Sequence, residues 1–192
     1  MTRNKILYVD DEAMALKYFE RLVSPLAPVL TASSVDEGRA LLDAHGAEIA
    51  VLVSDQRMPG ARGNELLRHA REHHPKVVRM LTTAYSDIGE AIEAINSGEI
   101  YRYIAKPWEL EHLRADLRNA LDLAALRAER DELLREMLMV AQAQLMGQRI
   151  GQLVALAAAL QAPNADAAVH TYVSAALATG AASPAVDWRR WD

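Results

Sequence analysis

The sequence predicts an α/β fold: a doubly wound, five-stranded parallel sheet followed by an α-helical coiled-coil or hairpin extension. Three observations predict it. Short apolar runs alternate five times with segments of helical spacing between residues 5 and 110, the pattern of a parallel sheet covered on both faces. The runs end in charged or turn-forming residues. From Trp108 to Gln161 there is no proline, and apolar residues recur by fours and threes, as in a coiled-coil seam.

In order, Lys5 to Val9 reads as a buried strand running into Asp10-Asp11. Ala13 to Val23 has helical spacing, with Leu16, Phe19, Leu22 and Val23 on one face, and Pro25 and Pro28 close it. Val29 to Ala32 is a short strand. Ser34 and Glu37 form a capping-box pattern in which each side chain satisfies the other's free backbone donor. The helix they open runs to His45, with Gly46 suited to the C′ position. Ile49 to Ser54 is a fully buried strand that delivers Asp55 to a Met58-Pro59-Gly60 turn. Asn64 opens a helix with Leu66, Leu67 and Ala70 apolar, and Pro75 follows it. Val77 to Thr82 is a fourth strand. Asp87 caps a helix carrying Ile88, Ala91, Ile92 and Ile95, stopped by Gly98. Tyr101 to Ile104 is a fifth strand, Lys106-Pro107 ends it, and a helix starts near Glu109.

Right-handed crossovers place all strand ends on one edge of such a sheet, where ligand chemistry occurs. Asp10, Asp11, Asp55, Thr83 and Lys106 lie at or just past those ends. Clustered carboxylates repel one another and call for a cation. An oxygen-only ligand set points to a hard ion, magnesium before calcium. A lysine and a hydroxyl can hold phosphoryl oxygens, and a shielded aspartate can attack phosphorus. The residues thus read as a magnesium-dependent phosphoryl-transfer site with Asp55 as acceptor. Taken singly, Asp10 or Asp11 would be a helix N-cap, Thr82 a plain strand residue, Lys106 a solvated loop lysine and Tyr103 core.

Four pieces carry a resemblance: Tyr8-Val-Asp-Asp-Glu12, Val53-Ser-Asp-Gln-Arg-Met-Pro-Gly60, Leu81-Thr-Thr-Ala-Tyr85 and Tyr101-Arg-Tyr-Ile-Ala-Lys-Pro-Trp108. In this order, residues 4–122 resemble a response-regulator receiver domain of two-component signalling, a flavodoxin-like fold. The resemblance implies Mg²⁺ held by Asp10, Asp11, Asp55 and the backbone carbonyl of Arg57. It implies that Asp55 takes a phosphoryl group from the phosphohistidine of a partner kinase or phosphotransfer protein. Thr83, followed by the small Ala84, aligns with the switch hydroxyl, Tyr103 with the switch aromatic, and Lys106 with the phosphoryl-contacting lysine. Arg57 and Tyr85 flank the site. The family's cis peptide would lie between Lys106 and Pro107, and Met58-Pro59 is expected to be trans. On this reading the chain is not an enzyme toward outside substrates and catalyses only its own phosphorylation and dephosphorylation.

Three segments are expected: residues 1–122 as the sheet domain, 123–161 as a long coiled-coil helix, and 162–192 as a turn, a short returning helix and a tail. Leu113, Leu117, Ala120, Leu121 and Ala124 would face the sheet. Leu126, Leu133, Met137 and Val140 continue one register, and Met139, Ala143, Met146, Ile150, Leu153, Ala157 and Leu160 a second, with a stutter near Met139. A lone helix cannot hide such a seam, so a homodimer through the C-terminal helices is expected. Asp166 caps the returning helix Ala167 to Thr179, and two such hairpins would make a four-helix bundle. Leu145 to Leu153 is faintly similar to the approach to the histidine of kinase dimerisation hairpins, which would imply docking mimicry without kinase activity. A constitutive dimeric scaffold or phosphate sink is the competing expectation.

The formal net charge is −5, and from Trp108 onward 8 Arg and no Lys face 11 Asp plus Glu, which argues against a DNA partner. The absence of cysteine excludes disulfides and thiolate sites. His45, His69, His73, His74 and His112 fall on polar helix faces or ends and read as surface residues, not metal ligands. No signal peptide or membrane span is recognisable, so a cytoplasmic protein with no membrane partner is expected.

Overall fold

The computed structural model describes residues 4–83, 100–160, 170 and 174. Strands β1 (Lys5–Val9), β2 (Val29–Ala32), β3 (Ile49–Asp55), β4 (Val78–Thr83) and β5 (Arg102–Ala105) form one sheet in the order β2-β1-β3-β4-β5. Every pairing is parallel. Helices α1 (Ala13–Val23), α2 (Val35–His45) and α3 (Gly63–His73) return between strands, and α4 (Leu110–Leu160) follows β5. The doubly wound fold is therefore as expected, with strand bounds shifted by a residue or so. The helix expected around Asp87 to Gly98 lies outside the described residues. So does the returning hairpin, of which His170 and Ser174 are described, both helical.

Strand alternation splits the core into two layers. Ile6, Tyr8, Val51, Val53 and Met80 face α1 and α4, where Phe19, Val23, Leu113, Leu117, Ala120 and Ala124 are buried. Leu7, Val9, Leu52 and Leu81 face α2 and α3, where Leu42, Leu66, Leu67 and Ala70 are buried. Each fully buried leucine contributes on the order of 1.5–3 kcal/mol. The expected inward face of α4, Leu113 through Ala124, is thus the one that packs, with Leu121 half-buried beside it.

Three local expectations need correction. Ser34 does accept from the Glu37 N–H, at 3.2 Å, but Glu37 does not return to Ser34. Its carboxylate accepts from the backbone N–H and hydroxyl of Ser33, at 2.7 and 2.8 Å. Gly46 caps α2 in the right-handed region, φ −56°, not as a left-handed C′ residue. A Cβ there would stand 2.5 Å from both His74 Nδ1 and the Leu42 carbonyl oxygen, so it is space that requires glycine. Arg62 is the N-cap residue of α3, with no side-chain cap bond, and Asn64 lies inside the first turn.

The chain divides into two compact units, residues 1–132 and 133–192. In the first, α4 is tied beyond its packed face by an ion pair of 2.8 Å between Lys76 and Asp131. In the second, the described part of α4 exposes more than half of Leu133, Leu134, Met137, Leu138, Met139, Val140, Leu145, Met146, Ile150, Leu153 and Leu160. Of the two expected seam registers, Leu126 is exposed in the first unit and the other residues are exposed here. No helix among the described residues is long and apolar enough to cross a membrane.

Candidate functional site

The parallel topology brings the C-terminal ends of β1, β3, β4 and β5 to one edge. Asp10 follows β1, Asp55 and Thr83 are the last residues of β3 and β4, and Lys106 follows β5. Asp10 and Asp55 are 1% and 8% exposed. The Lys106 ammonium bridges them, 2.7 Å from Asp10 Oδ2 and 2.5 Å from Asp55 Oδ1. Burial alone would favour the neutral amine. The hydrogen bonds and charges of the two carboxylates outweigh it, and the pKa of Lys106 is raised above its ordinary value.

Backbone donors orient both carboxylates. The Glu12 N–H donates to Asp10 Oδ1 at 2.9 Å, and the Arg57 N–H donates to Asp55 Oδ2 at 2.8 Å. Asp11 is exposed. It lines a crevice of about 650 Å³ with Gln56, Arg57, Met58, Pro59 and Arg62. Thr83 is buried, and its carbonyl accepts from the Lys106 N–H at 2.9 Å. The next bond, Lys106-Pro107, is cis, and Met58-Pro59 is not. Tyr103 is half-buried on β5 against the Leu7–Leu81 layer. Asp10, Asp55 and Lys106 are therefore brought into direct contact, Asp11 and Arg57 share the adjoining crevice, and Tyr103 stands apart on the sheet.

Three residues of the site were not expected from sequence. Thr82, read as a plain strand residue, turns its hydroxyl to Asp55 Oδ1 and to the Ser54 carbonyl, at 3.4 Å each. Tyr8, read as strand core, donates its hydroxyl to Asp10 Oδ2. Burial first, then Asp10, raises its pKa far above the ordinary range, so it stays a donor. Its ring stacks on Phe19 at 4.0 Å and meets the edge of Trp108 at 5.7 Å. Gly63 lies so close behind Asp55 that a Cβ would stand 1.9 Å from the Asp55 carbonyl oxygen. Its N–H donates to the Gln56 carbonyl at 3.1 Å, which closes the loop under the acceptor. The strand alternation of Tyr8 with Asp10 was a signal available in the sequence, whereas the approach of Gly63 was not.

At formal charge, the four residues Asp10, Asp11, Asp55 and Lys106 together sum to minus two. An oxygen-only set with that deficit, two of its carboxylates already drawn to one cation, fits a hard divalent ion such as Mg²⁺. The Arg57 backbone adds a carbonyl oxygen two residues after Asp55.

Known proteins resemble this chain in sequence and fold. The family model described as the response regulator receiver domain matches residues 6–118. The chain is 39% identical over 124 residues to the hydrogenase transcriptional regulatory protein HoxA of Cupriavidus necator, covering 65% of this chain and 25% of that protein. It is 30% identical over 122 residues to the DNA-binding transcriptional regulator NtrC of Escherichia coli, covering 63% and 25%. The chain thus spans about a quarter of the length of these curated relatives. A crystal structure of a response regulator receiver domain protein from Clostridium thermocellum superposes with a TM-score of 0.60 at 30% identity, covering 68% of this chain and 98% of that one. With the family model matched over more than half its length, the chain belongs to the response regulator receiver domain family, and with it to two-component signalling.

Proposed function

We propose that Asp55 accepts a phosphoryl group from the phosphohistidine of a histidine kinase or phosphotransfer protein, and that the helical C-terminal region passes the signal on as a homodimer. The observation that carries this reading is the Lys106 ammonium held between Asp10 and Asp55. A carboxylate oxygen of Asp55 forms the new P–O bond as the P–N bond breaks, and the donor imidazole keeps the electron pair of that bond. Mg²⁺, held by Asp10, Asp11, Asp55 and the Arg57 carbonyl, would supply charge neutralisation for the transferring group. Lys106 exchanges its contact with Asp55 Oδ1 for one phosphoryl oxygen. Thr83 supplies a hydroxyl to a second oxygen, and Tyr103 follows its movement. The added charge and acceptor oxygens then alter the β4–β5 edge, from which α4 starts four residues after Lys106.

The chain's chemistry is self-directed, forming and hydrolysing its own acyl phosphate without turning over an outside substrate. The net charge of −5 keeps DNA out of the partners proposed for this stretch, although NtrC is a DNA-binding regulator by name. A cytoplasmic location goes with this reading.

Incubation with acetyl phosphate and Mg²⁺ tests it. Intact mass should rise by one hydroxylamine-labile phosphoryl group in the native chain and not in Asp55→Asn. Uptake by Asp55→Asn, or none by the native chain, would overturn the assignment.

A second reading is favoured by the exposed apolar surface of residues 133–160. Large exposed apolar patches mark interaction sites, and this one does not involve Asp55. A constitutive dimeric scaffold or phosphate sink would present it at all times. Light scattering with Mg²⁺, before and after beryllofluoride, separates the two. A monomer that becomes a dimer supports the switch, and a dimer in both conditions supports the scaffold.

A further inference from the structure

Away from the Asp55 crevice, α2 and α3 bring three ligand-type side chains together. The helices run back against the parallel strands, so their C-terminal ends lie at the sheet edge opposite Asp55. There His69 Nε2 and His74 Nε2 stand 3.4 and 3.0 Å from Asp43 Oδ1. One donor atom from each of the three residues lies within 4.8 Å of the others. His69 and His74, expected as surface residues, have side chains only 21% and 18% exposed. Two neighbours fix the rings. His73 stacks on His69 with centroids 4.3 Å apart and brings its Nδ1 to 3.1 Å from the His69 carbonyl. Gly46 leaves the space that His74 fills, since a Cβ there would stand 2.5 Å from His74 Nδ1.

We propose that Asp43, His69 and His74 form a second metal site, selective for a borderline divalent ion of the Zn²⁺ class. Two imidazoles and one carboxylate are the ligand set that transition ions prefer, and one that Mg²⁺ does not seek. Three protein ligands leave a tetrahedral ion a fourth position, open to water because Asp43 is exposed. In the metal-free protein Asp43 Oδ1 serves as the common acceptor for both rings. An ion takes over that place once each neutral ring carries its proton on Nδ1, which frees both Nε2 lone pairs. The bound ion would clamp α2 to α3, elements that also carry the layer beneath β1 and β3.

The test uses the full chain without a histidine tag, in excess Mg²⁺ to fill the acidic crevice, titrated with ZnCl₂. Nitrogen signals of the histidine rings are followed by NMR, and binding by calorimetry. One equivalent of Zn²⁺ should shift the Nε2 signals of His69 and His74 and leave those of His45 and His112 in place. His69→Gln and His74→Gln should each weaken Zn²⁺ binding by at least about tenfold. Ring signals unmoved at one equivalent would overturn the proposal, and that reading needs no variant to fold. Undiminished uptake by a folded double variant would overturn it equally, by placing the ion elsewhere.

Discussion

Residues 110–124 and 133–160 belong to one helix and carry the same kind of apolar spacing, yet they meet opposite surroundings. Leu113, Leu117, Ala120 and Ala124 are buried against β1, β3 and α1. Met137, Met146, Ile150 and Leu153 are 60–69% exposed. Periodicity declares that a helix has an apolar face; it does not declare what covers the face. In the first stretch the sheet covers it. In the second, the described residues of that unit leave it exposed, and such a face is what the proposed homodimer would cover.

Equal truncations in the two stretches give the largest expected contrast. Leu117→Ala opens a cavity in a closed layer and should cost about 2–5 kcal/mol, read from urea unfolding. Leu153→Ala, measured at high dilution, should stay within about 0.5 kcal/mol. On the proposed homodimer its cost should grow at high protein concentration, where a second copy would cover the side chain. A large loss for Leu153→Ala at high dilution would break the comparison, since some part of the same chain would have to bury it.

Glycine sharpens the contrast by a change of sign. Gly63→Ala puts a methyl 1.9 Å from the Asp55 carbonyl oxygen and 2.8 Å from Ser54 Oγ. Backbone must move, so overpacking should cost roughly 1–3 kcal/mol. The acceptor moves with it, and phosphorylation from acetyl phosphate should slow by more than the loss of folded protein explains. Gly147→Ala, in the exposed helix with nothing within 4 Å, should instead stabilise the helix by about 0.5–1 kcal/mol. Thermal melts by circular dichroism should therefore move in opposite directions for the two variants.

The same contrast explains what was legible in the sequence. The sheet could be read because buried parallel strands are continuous apolar runs, such as Ile49 to Val53, cut by turn chemistry. Asp10, Asp55 and Lys106 could be read because topology alone sends strand ends to one edge. Contacts decided by packing across distant elements could not. The Thr82 hydroxyl reaches Asp55 from 27 residues away, and His74 reaches Asp43 from 31; neither pair has a local pattern. Ser33 in place of Ser34 as the donor to Glu37 is a smaller failure of the same kind, settled by side-chain reach at one turn.

The boundary between the two regions yields the smallest expected effect and the most local test. Asp131 stands one residue before the first unit ends at Glu132, and its ion pair with Lys76 is the last described tie of α4 to that unit. Hydrogen bonds from Lys76 and Arg130 hold its carboxyl well below the ordinary 3.8, at about 2. A carboxyl depressed in the folded state stabilises it above the unfolded pKa, and that contribution fades as pH falls from about 4 toward 2. Surface pairs of this sort are weak and screened by salt. Asp131→Asn should therefore lower the unfolding free energy slightly at pH 6 in low salt, and by clearly less near pH 2. A difference of undiminished size at pH 2 would mean that Asp131 anchors this end of the first unit's helix by packing rather than charge.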